Sequence, residues 1–146
     1  MLSAAILAVY LTTVTLHAPR ASLRVEVAAT ESSRERGLMD RDVLPAHAGM
    51  LFVFPNDGPV EFWMKDTRIP LDMVFVGRDG IVRSIAAAVP VVPARTPDDG
   101  IPRRRGRAMF VIELPSGEAA RDGLRPGIRI RGLTGLTGRT RRDTSV

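Results

Sequence analysis

The strongest local indication of the architecture is Met73-Val-Phe-Val-Gly-Arg-Asp-Gly-Ile-Val-Arg-Ser-Ile85. Its first four residues form an apolar run with aromatic and β-branched side chains, which suits a central strand buried on both faces. Gly77-Arg-Asp-Gly80 supplies the glycines and the aspartate that a tight hairpin connection requires. We therefore predict that residues 73–76 and 81–85 form a hairpin at the heart of the core.

Outward from this hairpin, the pattern on the N-terminal side predicts three more strands and a helix. Leu51-Phe-Val-Phe54 is a second continuous apolar run and is predicted as another buried central strand. Residues 12–16 and 23–28 alternate apolar with polar side chains, which is typical of half-buried strands, and they are predicted to pair as a hairpin. Thr30 is predicted to cap a short helix that Gly37 ends.

On the C-terminal side, a shift in composition separates the remaining elements. Residues 90–106 are rich in proline, arginine, aspartate and glycine and lack an apolar period, which predicts a long exposed loop. A strand over 108–114, one or two helical turns over 116–121 and a closing edge strand over 128–130 are predicted to follow. Beyond Gly132 no pattern favours ordered structure, so we predict a disordered basic tail.

Together these elements predict one mainly β domain. We expect a rolled sheet or small barrel of about seven to eight strands with one or two short helices, and α+β is the alternative class. The domain is assigned to residues 12–131, after an apolar segment over 1–11 and before the tail over 132–146. The 146 residues fit one domain that buries a sizeable core without a metal or a disulfide.

Composition excludes several kinds of site. The absence of cysteine excludes disulfides, thiolate nucleophiles and thiolate zinc sites. The chain has only two histidines, His17 and His47, which excludes a multi-histidine metal centre within one chain. We accordingly predict no metal and no cofactor. Serine-type hydrolysis finds no support, because neither histidine has a triad partner nearby in the sequence.

The net charge of +5 is concentrated in two segments rather than spread over the domain. Residues 95–107 and 129–146 hold 10 of the 21 cationic and 3 of the 16 acidic side chains, so the rest of the chain is near neutral. No aromatic residue is interleaved with the cations of the tail, and no recognition fold is visible. We therefore predict no nucleic-acid partner.

The N-terminal segment has the composition of a membrane-directed sequence. Residues 1–16 carry no charged side chain and resemble the apolar part of a secretion signal, but they lack its positive start and are short for a membrane span. One interpretation is export or anchoring, with an extracytoplasmic or membrane-associated location. The alternative is a cytoplasmic protein in which this segment is an apolar strand.

One segment combines features that packing alone does not demand. Phe62-Trp-Met-Lys-Asp-Thr-Arg-Ile-Pro-Leu-Asp72 holds the only tryptophan and the only lysine of the chain, and Pro70 stops regular structure before the next strand. A loop between strands is where a rigid scaffold usually presents polar groups. The segment around Arg41 is the second region of interest. The candidate site residues are Arg41, Trp63, Lys65, Asp66, Asp72, Glu26 and Glu113.

Each candidate has a structural as well as a functional interpretation. Lys65, paired with Asp66 or Asp72, could bind an anion or donate a proton, or it could form an ion pair that closes the loop. Asp72 could instead accept backbone N–H groups as a cap. Glu26 and Glu113 could point to water, join a buried network with Arg41 or Lys65, or form a catalytic pair. Trp63 could stack on a sugar ring or pack in the core.

Several short motifs occur in the order typical of one family, namely Val25–Ala28, Gly37–Arg41, Gly49–Phe54, Phe62–Thr67, Ile69–Asp72 and Val111–Gly117. With these motifs the chain resembles the bacterial and archaeal domain of unknown function 192. The resemblance spans about residues 12–131. It implies a small β-rich fold, frequently exported, with no established activity. Two positions depart from the family pattern, Asp66 in place of asparagine and Gly127-Ile128 in place of Gly-Asp.

Three functional hypotheses remain open from the sequence. The first is a non-catalytic binding module that meets a small anion, a sugar or a protein partner through the Trp63–Asp72 loop. The second is a small cofactor-independent enzyme that uses Lys65 with a carboxylate as acid and base. The third is a structural envelope protein that the N-terminal segment tethers to a membrane.

Overall fold

A computed structural model describes residues 11–139 of the chain. The prediction for the apolar segment concerns residues 1–10 almost entirely and lies outside the described residues, as does the end of the tail. Among residues 11–139, no helix has the length and apolar character needed to cross a bilayer. The elements are β1 (Thr13–His17), β2 (Ser22–Ala28), α1 (Glu31–Arg36), β3 (Ala48–Phe62), β4 (Leu71–Val76), β5 (Val82–Val89), a 3₁₀ turn (Asp98–Gly100), β6 (Arg104–Pro115) and α2 (Glu118–Arg121).

The six strands form one mixed sheet in the order β1-β2-β3-β6-β4-β5. β2 and β3 are parallel, and the other neighbours are antiparallel. The predicted mainly β class with short helices is confirmed. Within the described residues there are six strands rather than seven or eight, and the sheet is open because its edges, β1 and β5, do not pair with each other. The small-barrel alternative is therefore not what the chain adopts.

The hairpin predicted over residues 73–85 is confirmed. β4 and β5 pair antiparallel, and the Gly77 N–H donates to the Ile81 carbonyl at 3.0 Å. Gly80 adopts a φ of +80°, which glycine reaches without the steric cost that other residues meet. The Asp79 carboxylate accepts the Ile81 N–H at 3.0 Å, which fixes the turn.

The connection from β2 to β3 contains the predicted helix. Thr30 accepts the Ser33 N–H, and the Ser33 hydroxyl accepts the Thr30 N–H, which together form a capping box. Gly37 ends the helix with a φ of +48°. This crossover returns the chain parallel to β2, a pairing that a hairpin-based prediction did not include.

Both faces of the sheet are covered, which explains the continuous apolar runs. Along the central strand β6, Ile112 and Leu114 face one side and belong to a core that the C-terminal segment completes with Leu124, Ile130 and Leu133. Val111 lies on the opposite side, in a core shared with Phe52, Met50, Met73 and Phe75. Glu113 follows the parity of Val111 and therefore points into this second core.

The loop predicted over residues 90–106 is shorter than expected. β6 already begins at Arg104, because β3 extends to Phe62 and pairs with it. Gly106 packs so closely on Phe75 that an added Cβ would lie 2.6 Å from its ring, so this glycine permits the strand. Ile101, inside the predicted exposed loop, is buried. Composition could not reveal these contacts, since they are made with distant residues.

The C-terminal segment also differs from its prediction. The closing edge strand predicted over residues 128–130 is replaced by two isolated β-bridges. One joins Arg129 to Ile81, and the other joins Arg131 to His17. Disorder was predicted after Gly132, yet Leu133 is buried and the Arg139 N–H donates to the Ala29 carbonyl at 2.6 Å. Residues 133–139 thus pack on the sheet through long-range contacts, which a local sequence pattern does not predict.

Arg34 ties this C-terminal segment to the sheet, which gives a testable effect on stability. Its guanidinium donates to the carbonyls of Ala29, Val53 and Arg139 at 2.8, 2.9 and 2.9 Å. We expect Arg34→Lys to lower the free energy of unfolding by about 1–3 kcal/mol, because a single ammonium cannot reproduce this fork. Urea denaturation measures it, with Arg36→Lys on the exposed side of the same helix as control. Equal effects of the two substitutions would contradict the bridging role.

Candidate functional site

A cavity of about 280 Å³ opens on the second core, between α1, the end of β3 and the loop that follows it. Its walls are unusually aromatic for a chain with seven aromatic residues in all. The rings of Phe52, Phe54 and Phe62 meet edge to face, with centroids 4.9 and 6.1 Å apart. Trp63 completes the aromatic wall, and Lys65 lies at the same cavity.

Glu113 lines this cavity from the centre of the sheet. Its neighbours across β3 and β4 are Met50 and Met73, both fully buried. The side chain is 4% exposed, and it forms no hydrogen bond or ion pair with any residue between 11 and 139. Burial raises the pKa of Glu113 from 4.5 to about 8. Near pH 7 the group is therefore mostly a neutral acid that can donate one hydrogen bond and accept others.

Most other polar groups around the cavity already have partners. The Arg34 guanidinium is held by carbonyl oxygens, and the Thr67 hydroxyl donates to the Lys65 carbonyl at 3.0 Å. Glu61 at the rim meets Arg105 at 2.7 Å and Arg103 at 3.4 Å. Glu113 is thus the buried polar group at this cavity that is available to a ligand.

Trp63 is half-buried, and two cationic side chains lie against its ring system. The Arg103 guanidinium carbon is 3.9 Å from the centre of its ring system, and Lys65 Nζ is 5.1 Å away. At least part of one ring face is therefore covered by Arg103. Trp63 also lines the cavity, so it can contact a ligand there, but Arg103 reduces the open stacking surface predicted for this tryptophan.

Lys65 pairs with Asp98 and not with Asp66 or Asp72. The Nζ to Oδ2 distance is 3.0 Å, and the Asp98 side chain is 57% exposed. This partner comes from the 3₁₀ turn, 33 residues further along the chain. Local sequence could not identify it, since the turn approaches the Trp63 loop only in the folded state.

Asp72 has the capping role that was one of its two interpretations from the sequence. The carboxylate is buried and accepts the N–H groups of Ala88, Gly117 and Ala119 at 2.8, 3.1 and 2.9 Å. Asp66 is exposed, has a φ of +49°, and its carbonyl accepts the Asp40 N–H at 2.8 Å. Neither side chain lines the aromatic cavity.

Arg41 and Glu26 form an ion pair in a separate groove. Their contact is two-pronged and partly buried, and the groove lies beside α1 on the side of β2. The structure therefore brings together Trp63, Lys65 and Glu113 among the predicted site residues. Sequence reasoning missed the wall residues Phe52, Phe54 and Phe62, whose only signal was aromatic character within predicted strands.

The fold and the cavity together describe a small, mainly β domain, with an open mixed sheet and an aromatic cavity above a buried carboxyl group. The chain belongs to the DUF192 family, described as "Uncharacterized ACR", whose model matches residues 12–132. This match confirms the resemblance drawn from the short motifs. The comparison with curated proteins returned no match.

Two solved structures are similar to this chain. One is a "putative transcription regulator" of Sinorhizobium meliloti 1021, with 35% identity, a TM-score of 0.74 and coverage of 85% of this chain and 96% of that chain. The other is a protein of unknown function from Novosphingobium aromaticivorans DSM 12444, with 32% identity, a TM-score of 0.68 and coverage of 88% and 89%. Both agree with the fold described above.

Proposed function

We propose that this chain is a ligand-binding domain, and that a small, mostly apolar molecule occupies the aromatic cavity with one polar group hydrogen-bonded to Glu113. The observation that carries the proposal is a buried carboxyl without a partner at the wall of a cavity. An unpartnered buried polar group costs folding free energy, so its retention calls for a ligand or a functional reason.

The chemistry of the cavity favours an amine or an alcohol. A neutral carboxyl donates to and accepts from a hydroxyl group, and an ionised one pairs with an ammonium group that the aromatic rings also attract. An anion would meet Glu113 unfavourably whenever this group is charged. At about 280 Å³ the cavity lies near the lower end of known ligand pockets, which favours a molecule of one ring or a short alkyl chain.

A ligand panel on the purified full chain tests this proposal. Small aromatic and aliphatic amines, alcohols, carboxylates and monosaccharides are screened by NMR shift changes and by thermal shift. We expect amines or alcohols to move the amide signals of residues 50, 63 and 113, and carboxylates not to do so. Glu113→Gln should weaken binding about tenfold or more, since a hydrogen bond to a buried carboxyl is lost or altered.

Two further variants separate the cavity from the surface. Glu113→Leu removes the carboxyl at a similar side-chain size and should abolish binding, whereas Arg68→Ala removes an exposed ion pair outside the cavity and should change affinity by less than about threefold. Binding that survives Glu113→Leu but is lost in Arg68→Ala would place the ligand on the loop surface and overturn the proposal.

The raised pKa of Glu113 favours one second candidate, a small enzyme without a cofactor. A carboxyl group with a pKa of about 8 is suited to general acid or base catalysis near neutral pH. Of the predicted carboxylates, Asp72 and Glu26 are engaged elsewhere, so Glu113 is the one that shares a cavity with Lys65. Mass spectrometry of the ligand after incubation with the native chain tests this candidate. A change in the mass of the ligand indicates catalysis, and an unchanged mass indicates binding alone.

The name of one relative raises transcription regulation, which this chain's geometry does not favour. The two α-helices described in this chain span six and four residues, which is too short for a recognition helix that lies in a DNA major groove. Arg103 and Arg105 are paired with Glu61. The absence of a nucleic-acid partner stays a prediction. The tethered-envelope hypothesis also stays a prediction, because it depends on residues 1–10.

A further inference from the structure

A second cluster of chemically active side chains lies on the opposite core from the cavity. His47 precedes β3, Glu118 begins α2, and Asp122 directly follows that helix. His47 Nδ1 is 3.3 Å from Asp122 Oδ2 and 3.8 Å from Glu118 Oε1. One ligand atom from each of the three residues lies within 4.8 Å of the others. Local sequence patterns do not predict this cluster, since His47 and Glu118 are 71 positions apart in the chain.

The two carboxylates are buried without a full counter-charge. Glu118 is 1% exposed and Asp122 is 2% exposed. Within residues 11–139, His47 is the basic side chain that lies within salt-bridge distance of either. Burial and then the charge of Asp122 raise the pKa of Glu118, although the His47 N–H opposes this. Buried neighbouring acids are stabilised by protonation, by pairing with a positive charge or by a bound cation.

One oxygen of Glu118 is free to serve as a ligand. Oε1 accepts the backbone N–H of His47 at 2.5 Å, which orients the carboxylate. Oε2 is enclosed and has no hydrogen-bond partner among the described residues. A ligating carboxylate is commonly held in this way, with one oxygen hydrogen-bonded and the other on the metal.

We propose that His47, Glu118 and Asp122 bind a divalent transition-metal ion such as Zn²⁺. With metal–ligand bonds of about 2.1 Å, tetrahedral geometry places ligand atoms about 3.4 Å apart. The Nδ1–Oδ2 separation of 3.3 Å is close to that value, and one carboxylate oxygen of Glu118 lies within 4.8 Å of both atoms. The His47 side chain is 54% exposed, so an ion held by these three ligands keeps a coordination position open to solvent.

Metal titration of the full chain tests the site. After treatment with a chelator, the native protein is titrated with ZnSO₄ by calorimetry and with CoCl₂ by visible absorption. We expect one ion per chain, and a Co²⁺ spectrum with the intensity typical of four-coordinate sites. NMR should show the largest changes at the ring of His47 and not at that of His17.

Matched histidine variants decide the outcome. His47→Ala removes an exposed ligand with little risk to folding and should weaken Zn²⁺ binding at least tenfold, as should Glu118→Gln, whose amide oxygen can still accept the His47 N–H. His17→Ala alters the other histidine, which contacts Ser22 and no carboxylate, and should leave binding unchanged. Absence of stoichiometric binding, or loss of binding in His17→Ala but not in His47→Ala, would overturn the proposal.

Discussion

The native chain should become less stable as the pH rises from about 4.5 to 8, and Glu113→Gln should remove most of this loss. The folded state holds the Glu113 proton up to a pKa of about 8, whereas the ordinary value is 4.5. Between these values the folded state binds more protons than the unfolded state, so the free energy of unfolding falls with pH. Each pKa unit corresponds to about 1.4 kcal/mol, which predicts a loss on the order of 3 to 5 kcal/mol.

Urea denaturation at several pH values measures this effect. Because Glu118 contributes in the same direction, the informative quantity is the difference between the native chain and the variant at each pH, with a chelator present throughout. Glu35→Gln, an exposed glutamate in α1, provides the control and should follow the native chain. Parallel pH curves for the native chain and Glu113→Gln would show that Glu113 is not held as a buried acid.

Asp72→Ala should lower the free energy of unfolding by about 3 to 5 kcal/mol, because it leaves three backbone donors without an acceptor. One of them, Ala88, has a φ of +50° and lies in an irregular stretch of β5 opposite Asp72. Such a conformation is costly for alanine and persists where its N–H is held. The other two donors open α2, so the same carboxylate fixes both an edge strand and a helix.

Equilibrium unfolding followed by circular dichroism tests the role of Asp72. The matched control is Asp66→Asn, since Asp66 is exposed and asparagine tolerates its positive φ. We expect the control to change stability by less than about 0.5 kcal/mol. A loss below about 1 kcal/mol in Asp72→Ala would mean that water replaces the carboxylate, and that the buried cap is not what holds these segments.

The sequence predicted those parts of the fold that local chemistry determines. The Gly77–Gly80 turn, the Thr30 cap and the hairpin over residues 12–28 all depend on neighbours within a few positions. The buried character of β4 followed from its unbroken apolar run. These features are confirmed because short-range sterics and hydrogen bonds already favour them before any tertiary contact forms.

Pairings between distant segments could not be predicted in the same way. The insertion of β6 between β3 and β4, the parallel pairing of β2 with β3 and the packing of residues 133–139 depend on contacts far apart in sequence. A local pattern records which face of a strand is apolar but not which strand lies beside it. The small-barrel alternative and the predicted length of the loop over residues 90–106 both differ from the structure because local sequence does not show which strands pair.

The candidate site was foreseen only in part for the same reason. Trp63 and Lys65 were singled out as rare residues in one loop, and Glu113 as an acid within a strand. These three residues share a cavity because Glu113 lies on the side of β6 that faces it and because β3 ends beside it. Composition does not predict either feature. The aromatic wall and the His47 cluster required coordinates, because each assembles residues from separate elements.

The central place of β6 also constrains how the chain can be made. β3 and β4 emerge from the ribosome well before Arg104–Pro115, and until then each has an unpaired edge that faces the position β6 will fill. Exposed strand edges are templates for pairing with other chains. Until this last long strand is made, β3 and β4 therefore lack the partner that keeps these edges from pairing with other chains.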